Sequence, residues 1–242
     1  MPKRPAGSRE KLIEAGARLL DEHGPEALNA RRLATEIGAS TMAVYTHFGG
    51  MAGLYEALAR DAFARFERFL RRTPDTDDPV ADLLLLGLHY REFAVTSPHR
   101  YRLMFGIALA GTLPSFGHDV TTEGTPTTVA EMNAAFALLP RQVRRAMDAG
   151  RLRRDDPITV AGQFWSMVHG YVLLETTGVF GAEGRGVLHI LGPHAINLLV
   201  GLGDEREAAE RSAGRSLLGV ETAGVVVPEA APRRGRRARP AR

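Results

Sequence analysis

The chain has 242 residues, of which 44% are hydrophobic and 24% charged, with a formal net charge of +3. That composition and length suit a globular chain with a sizeable buried core. The absence of cysteine excludes a disulfide scaffold, a thiolate metal site, an iron–sulfur cluster and a cysteine nucleophile, and no apolar run reaches the ~18–20 residues that span a bilayer. The opening Met1-Pro2-Lys3-Arg4-Pro5 leads into polar residues rather than the apolar core of a secretion signal, so a cytoplasmic location is expected. The positive charge is local: residues 233–242 hold six Arg and no acid, and the rest of the chain sums to 3 − 6 = −3.

Helical periodicity dominates from Ser8 to about Leu202 and predicts an all-α chain of about nine helices. The first helix runs from Ser8 to His23, with Leu12, Ala15, Leu19 and Leu20 on one stripe, and Gly24-Pro25 stops it. Asn29 caps a short second helix carrying Leu33, Ala34 and Ile37 inward, which breaks at Gly38. A third, capped by Ser40, ends near His47, and Gly49-Gly50 turns into a long helix over Met51–Arg72. Asp78-Pro79, Ser97-Pro98 and Asp156-Pro157 each place a capping side chain before a proline, which the first helical position tolerates. Gly111 to Gly124 reads as a mobile loop and Thr125 to Ala149 as a helix. Two apolar helices follow, about Asp156–Thr177 and Arg185–Leu202. Residues 204–242 read as an unpacked, disordered Arg-rich tail.

The second and third helices, joined by Ile37-Gly38-Ala39-Ser40, form a helix-turn-helix pattern. In the third, Val44 and Phe48 lie four apart and point inward, so Thr41, Met42, Tyr45 and Thr46 point elsewhere. Small side chains such as Thr41 and Ala43 allow close approach in a DNA major groove. The stretch from Ala27 to Phe48, ending Val44-Tyr45-Thr46-His47-Phe48, resembles the DNA-binding signature of TetR-family transcriptional regulators. The resemblance implies an N-terminal helix-turn-helix DNA-binding domain (residues 1–50) and a C-terminal helical ligand-binding and dimerisation domain (residues 51–203). It makes Asn29, Arg31, Thr41, Met42, Ala43, Tyr45, Thr46, His47 and Gly50 the expected DNA-contacting residues. The family's lysine after the turn is replaced by Gly49-Gly50-Met51. Backbone N–H groups remain for a phosphate there, and Lys3, Arg4 and Arg9 are the basic groups that stand in for the missing charge. Residues 1–50 hold seven basic and six acidic groups, so an excess of one cannot hold a duplex by counterion release, and dimerisation must contribute.

In the penultimate apolar helix Gly162, Ser166 and Gly170 recur every four residues, a small-residue stripe that admits a neighbouring helix. Leu188, Leu191, Ala195 and Leu198 give the next segment an apolar face, and the two together are the expected dimer elements. Trp165 reads equally as core and as pocket wall. Phe164-Trp165-Ser166-Met167-Val168-His169-Gly170 and Ser97 to Gly106 resemble two segments of one TetR-family ligand-domain subgroup, in matching order. That resemblance implies a homodimer enclosing an inducer pocket. His89, Phe93, Tyr101, Met104, Phe105, Phe164, Trp165 and His169 are its expected lining, suited to a hydrophobic or aromatic molecule.

Together these readings predict a regulator, most simply a repressor released from a palindromic double-stranded operator by a small molecule, without cofactor, metal, membrane contact or catalysis. The eight histidines form no His-Glu-x-x-His motif, Gly-x-Ser-x-Gly is absent, and the Gly-rich stretch 181–186 follows a helix rather than a strand. Two alternatives stay open: a nonspecific nucleic-acid binder driven by the arginine tail, and an enzyme whose motif is not apparent.

Overall fold

The computed structural model describes residues 8–106, 118–181 and 184–222. Among them the chain is helical throughout, with eleven α-helices and no strand. The arm residues Lys3 and Arg4, the heart of the 111–124 loop, and the arginine tail lie outside the described residues.

Helix α1 (Ser8–His23) ends at Gly24, whose φ of 77° is open to glycine. A 3-10 turn (Pro25–Ala27) leads to Asn29, whose side chain accepts the Arg32 backbone N–H at 2.9 Å and so caps α2 (Ala30–Ile37). Gly38 (φ 64°) breaks α2, and α3 spans Met42–Phe48. Its N-cap position is Thr41 rather than Ser40, and no side chain caps it. Leu12, Leu20, Leu33 and Val44 make the core of this unit, completed by Leu54 and Leu58 of α4 (Met51–Leu70).

Helix α4 serves two cores: its first half closes the N-terminal unit, while Phe63, Phe66 and Leu70 enter the central core. A boundary at residue 50 therefore falls beside a helix common to both units.

The second unit contains α5 (Pro79–Thr96), α6 (Pro98–Met104), α7 (Val120–Glu123), α8 (Ala130–Asp148), α9 (Pro157–Thr176), α10 (Gly192–Gly201) and α11 (Arg206–Thr222). Asp78 caps α5 through the Ala81 N–H (3.0 Å) and Asp156 caps α9 through the Thr159 N–H (2.8 Å), whereas Ser97 makes no side-chain cap bond. Helix α8 begins at Ala130, five residues later than periodicity suggested, because Pro126 and the bond from the Val129 N–H to the Thr127 hydroxyl hold 126–129 in a turn. The predicted helix over 185–202 divides into a π-turn (Val187–Leu191) and α10. Pro193 has no N–H for the α-helical ladder, and the wider turn before it absorbs the missing bond.

Helix α11 corrects the reading of everything beyond residue 203 as unpacked. Its buried stripe is Ala209, Ser212 and Ser216, continued by Gly219, where an added Cβ would stand 3.1 Å from Leu85 of α5. Small and hydroxylated residues carry no hydrophobic period, yet they let α11 lie close against α5. A polar knot fixes it. Asp78 accepts from the Ser212 hydroxyl (2.9 Å) and from Arg215 (2.9 Å), while Arg151 clamps Asp204 through two nitrogens at 2.7 and 2.8 Å.

Burial pushes the Asp78 carboxyl up, but the Ala81 N–H, the Ser212 hydroxyl and the Arg151 and Arg215 charges outweigh it and hold the group below its ordinary 3.8. A carboxyl depressed on folding contributes stability that is present above its unfolded pKa and lost as pH falls through the folded one. The melting temperature of the wild type should therefore fall more steeply below about pH 4 than that of Asp78→Asn, measured by circular dichroism. Parallel curves for the two proteins would show that the knot contributes no pH-dependent stability.

Candidate functional site

The helix-turn-helix presents one face outward. Thr41, Met42 (64% exposed), Tyr45 (54%), Thr46 and His47 are exposed on α3, Ala43 is half-buried, and Val44 is sealed in the core. Asn29 and Arg31 are exposed at the start of α2, so the first turn of α2 and the face of α3 lie on the surface together. Gly50 differs: it is buried, with φ 132° and the Tyr45 ring 3.8 Å from where its Cβ would be. It shapes the turn beneath Tyr45 rather than facing out. Phe48 is half-buried, and the Arg9 guanidinium lies 5.4 Å above its ring, which places one of the arm's basic groups beside α3. Gly53 is required for the approach of α4, because a Cβ there would meet the Phe48 carbonyl at 2.0 Å.

The second unit encloses a cavity of about 350 Å³ between α4, α5, α8, α9, α10 and α11. Of the residues expected to line it, Phe105, Phe164 and Trp165 are in its wall. His89, Phe93, Tyr101 and Met104 are buried behind that wall, and His169 is half-buried outside it. His89 sits against Phe69, its Nδ1 2.9 Å from the Thr73 hydroxyl. Burial, with help from the nearby Arg72 charge, lowers its pKa to about 4, so it is neutral at ordinary pH.

Tyr101 and His169 act through Tyr90, which reaches the wall. Burial keeps the His169 imidazole below its usual pKa, so the ring is neutral and its Nδ1 can accept. That nitrogen is 2.6 Å from the Tyr101 hydroxyl and 2.8 Å from the Tyr90 hydroxyl, and the two hydroxyls are 3.0 Å apart. The Trp165 indole N–H donates to the Tyr90 oxygen at 3.4 Å. The polar atoms at the inner end of the cavity are thus bonded to one another.

One short helix joins cavity and helix-turn-helix. Phe105, the residue just past α6, lines the cavity, while on α6 Tyr101 joins the tyrosine–histidine set and Leu103, fully buried, completes the core of the N-terminal unit. Arg100, 5% exposed, makes a two-pronged bond to Asp21 of α1 (2.7 Å each) and a third to Asp61 of α4 (3.0 Å). Tyr55 adds a further tie, donating to the Leu28 carbonyl at 3.2 Å. Periodicity could not single out Arg100 or Tyr55, since an arginine or tyrosine on a helix usually faces solvent. The signal available for Arg100 was its place between Pro98 and Tyr101, in the segment that carried the second resemblance.

Of the expected dimer residues, Gly162, Ser166 and Gly170 keep a surface position on α9, and nothing lies within 4 Å of a Cβ built on either glycine. Leu188 is 60% exposed and Leu198 half-buried, whereas Leu191 and Ala195 are buried within the protomer's own core. Exposed Leu174 and Ile190 extend the apolar surface.

An exposed recognition helix on a three-helix head, joined to a helical body with an apolar cavity, defines a ligand-domain helix-turn-helix regulator. Comparison with known proteins agrees. Residues 12–58 match the model of bacterial regulatory proteins of the tetR family, and residues 83–187 that of the tetracyclin repressor-like C-terminal domain. The transcriptional repressor AcnR of Corynebacterium glutamicum is 40% identical over 193 residues, covering 78% of this chain and 90% of AcnR. An uncharacterized regulator of Mycobacterium tuberculosis is 29% identical over 175 residues, covering 71% of this chain and 72% of its own. A solved Rhodococcus protein of unknown function shares the fold at a TM-score of 0.66 and 24% identity, covering 84% of this chain and all of that one. The chain belongs to the TetR family of transcriptional regulators: it binds DNA and works as a homodimer.

Proposed function

We propose that this regulator is a repressor that leaves its operator when a small apolar molecule fills the cavity of the second unit. The observation that carries the reading is α6, which lends Phe105 to the cavity wall and Leu103 to the helix-turn-helix core. A ligand alters DNA affinity only if it favours one of two conformations that bind DNA differently. A shift of Phe105 moves α6, and through Arg100 it moves α1 and α4 together. The similarity to AcnR, named a repressor, supports the sign of regulation. The exposed surfaces of α9 and α10 around Gly162, Ser166, Gly170 and Leu188 form the dimer face in this reading. Asn29, Arg31, Thr41, Met42, Ala43, Tyr45, Thr46 and His47 meet the duplex, with Gly50 supporting Tyr45 from below. The chain acts beside DNA in the cytoplasm, without catalysis of its own.

The test is fluorescence anisotropy with DNA flanking its own gene against a scrambled duplex, at several salt concentrations. Preference of ~10³-fold or more establishes a specific regulator. Equal binding to both, with a steep salt slope, rejects the reading in favour of a tail-driven nonspecific binder.

The coupling route has its own test. In Arg100→Ala the cavity is untouched, so ligand affinity should hold, while the ligand-induced drop in DNA affinity, typically about 5–150-fold in such systems, should shrink to a small fraction. Arg100→Lys keeps the charge but loses the planar two-pronged bond to Asp21 and should recover little. Full release of DNA by ligand in Arg100→Ala would place the coupling elsewhere.

A further inference from the structure

The chemistry of the cavity wall narrows the ligand class; the step rests on reading the cavity as the ligand site. We infer that the cavity takes a single-chain alkyl amphiphile, hydrocarbon end first, with its polar head held at the α10–α11 side.

Among the described wall residues only Tyr90, Trp165, Glu210 and Ser216 carry polar side chains. The first two are bonded to each other, and Tyr90 also to the Tyr101–His169 pair. The inner end therefore offers aromatic and aliphatic surface with its hydrogen bonds already made. A compact molecule bearing several hydroxyls would leave them facing hydrocarbon, and an unpaired buried polar group is costly.

The other two polar groups are both on α11: Ser216 is buried and its hydroxyl donates to the Ala213 carbonyl at 2.8 Å, which leaves Glu210 as the polar group at the surface. That side opens at Glu210, Gly214 and Leu217, the last 36% exposed, whereas Phe66, Tyr90, Phe164 and Val168 are all under 8%. The wall thus runs from a dry aromatic end beside α4 and α6 to a wet rim with a carboxylate. A chain with one polar end matches that gradient; a small disc-shaped molecule does not use it. The exposed rim belongs to α11, beyond the residues 83–187 matched by the C-terminal family model.

Trp165 is the chain's one tryptophan and lines the cavity, so its fluorescence reports occupancy directly. The probes are 1-alkanols and alkyltrimethylammonium salts, kept below their micelle concentrations, and resorcinol as a compact aromatic. Affinity should rise about fourfold with each added methylene until the cavity is full. Exchanging the head group at fixed length should change it less than tenfold, since the head stays at the solvated rim. Gly87 borders the cavity midway along α5, and nothing lies within 4 Å of a Cβ there. Gly87→Phe should shorten the longest chain accepted. Gly214→Phe, at the open side with equal room, serves if the first variant fails to fold. An affinity indifferent to chain length, or resorcinol binding more tightly than every chain, overturns the inference. Chains that bind without loosening the protein's hold on a duplex selected from a random pool keep the ligand class and reject release by ligand. Release by resorcinol with no chain bound keeps the release and rejects the class.

Discussion

Leu103→Ala is expected to lower the unfolding free energy by about 2–5 kcal/mol, the largest single effect foreseen for this chain. The side chain is completely buried, and its surroundings come from another unit: Leu12, Leu20, Leu54 and Leu58 lie in the same cluster. Removing it leaves a hole where α6 enters the helix-turn-helix core, a region with little freedom to collapse because Arg100 holds α6 to α1 and α4. For a chain of this size the melting temperature should drop by about 4–20 °C. A loss under ~1 kcal/mol in a denaturant titration would mean that α6 is not an integral part of that core.

Tyr45→Ala should do the reverse, sparing stability and weakening DNA binding. The side chain is 54% exposed on α3, so the melting temperature should move by no more than ~0.5 kcal/mol implies. In the proposed reading the Tyr45 hydroxyl bonds a DNA phosphate; such a bond is worth about 1 kcal/mol net and a dimer would make it twice, so operator affinity should fall about 30-fold. Tyr45→Phe, which keeps the ring over Gly50 and loses only the hydroxyl, should account for most of that drop. Unchanged affinity in both variants, read by anisotropy at fixed salt, would remove Tyr45 from the DNA face. Val44 is the contrast one residue away: with no exposed surface, its truncation should cost stability first.

The helix-turn-helix was legible because its determinants are local. Asn29 caps α2 through a bond three residues on, Gly38 and Gly49 take left-handed conformations that end α2 and α3, and Val44 and Phe48 face inward by helical spacing. Gly50 was legible as a turn and not as a support for Tyr45, since that contact needs two segments folded back on each other. The cavity was legible in composition only. Phe105, Phe164 and Trp165 share the aromatic character of Phe93 and Tyr101, yet the first three line the space and the other two back it. Which side of a packed helix meets an empty volume depends on how neighbouring helices are spaced, and no single stripe records that.

By itself, then, the sequence determined the helical class, the family, the helix-turn-helix and the small-residue spacing along α9, all properties set within a few turns of chain. Tertiary structure decided that α11 packs, because its buried stripe of Ala209, Ser212 and Ser216 carries no hydrophobic period and is held by the Ser212 bond to Asp78 and the close approach of Gly219 to Leu85 of α5. It likewise decided that Arg100 binds two carboxylates contributed by α1 and α4, and that α6 belongs to two cores at once. Those partners lie tens of residues away in sequence, and only the folded chain brings them within bonding distance.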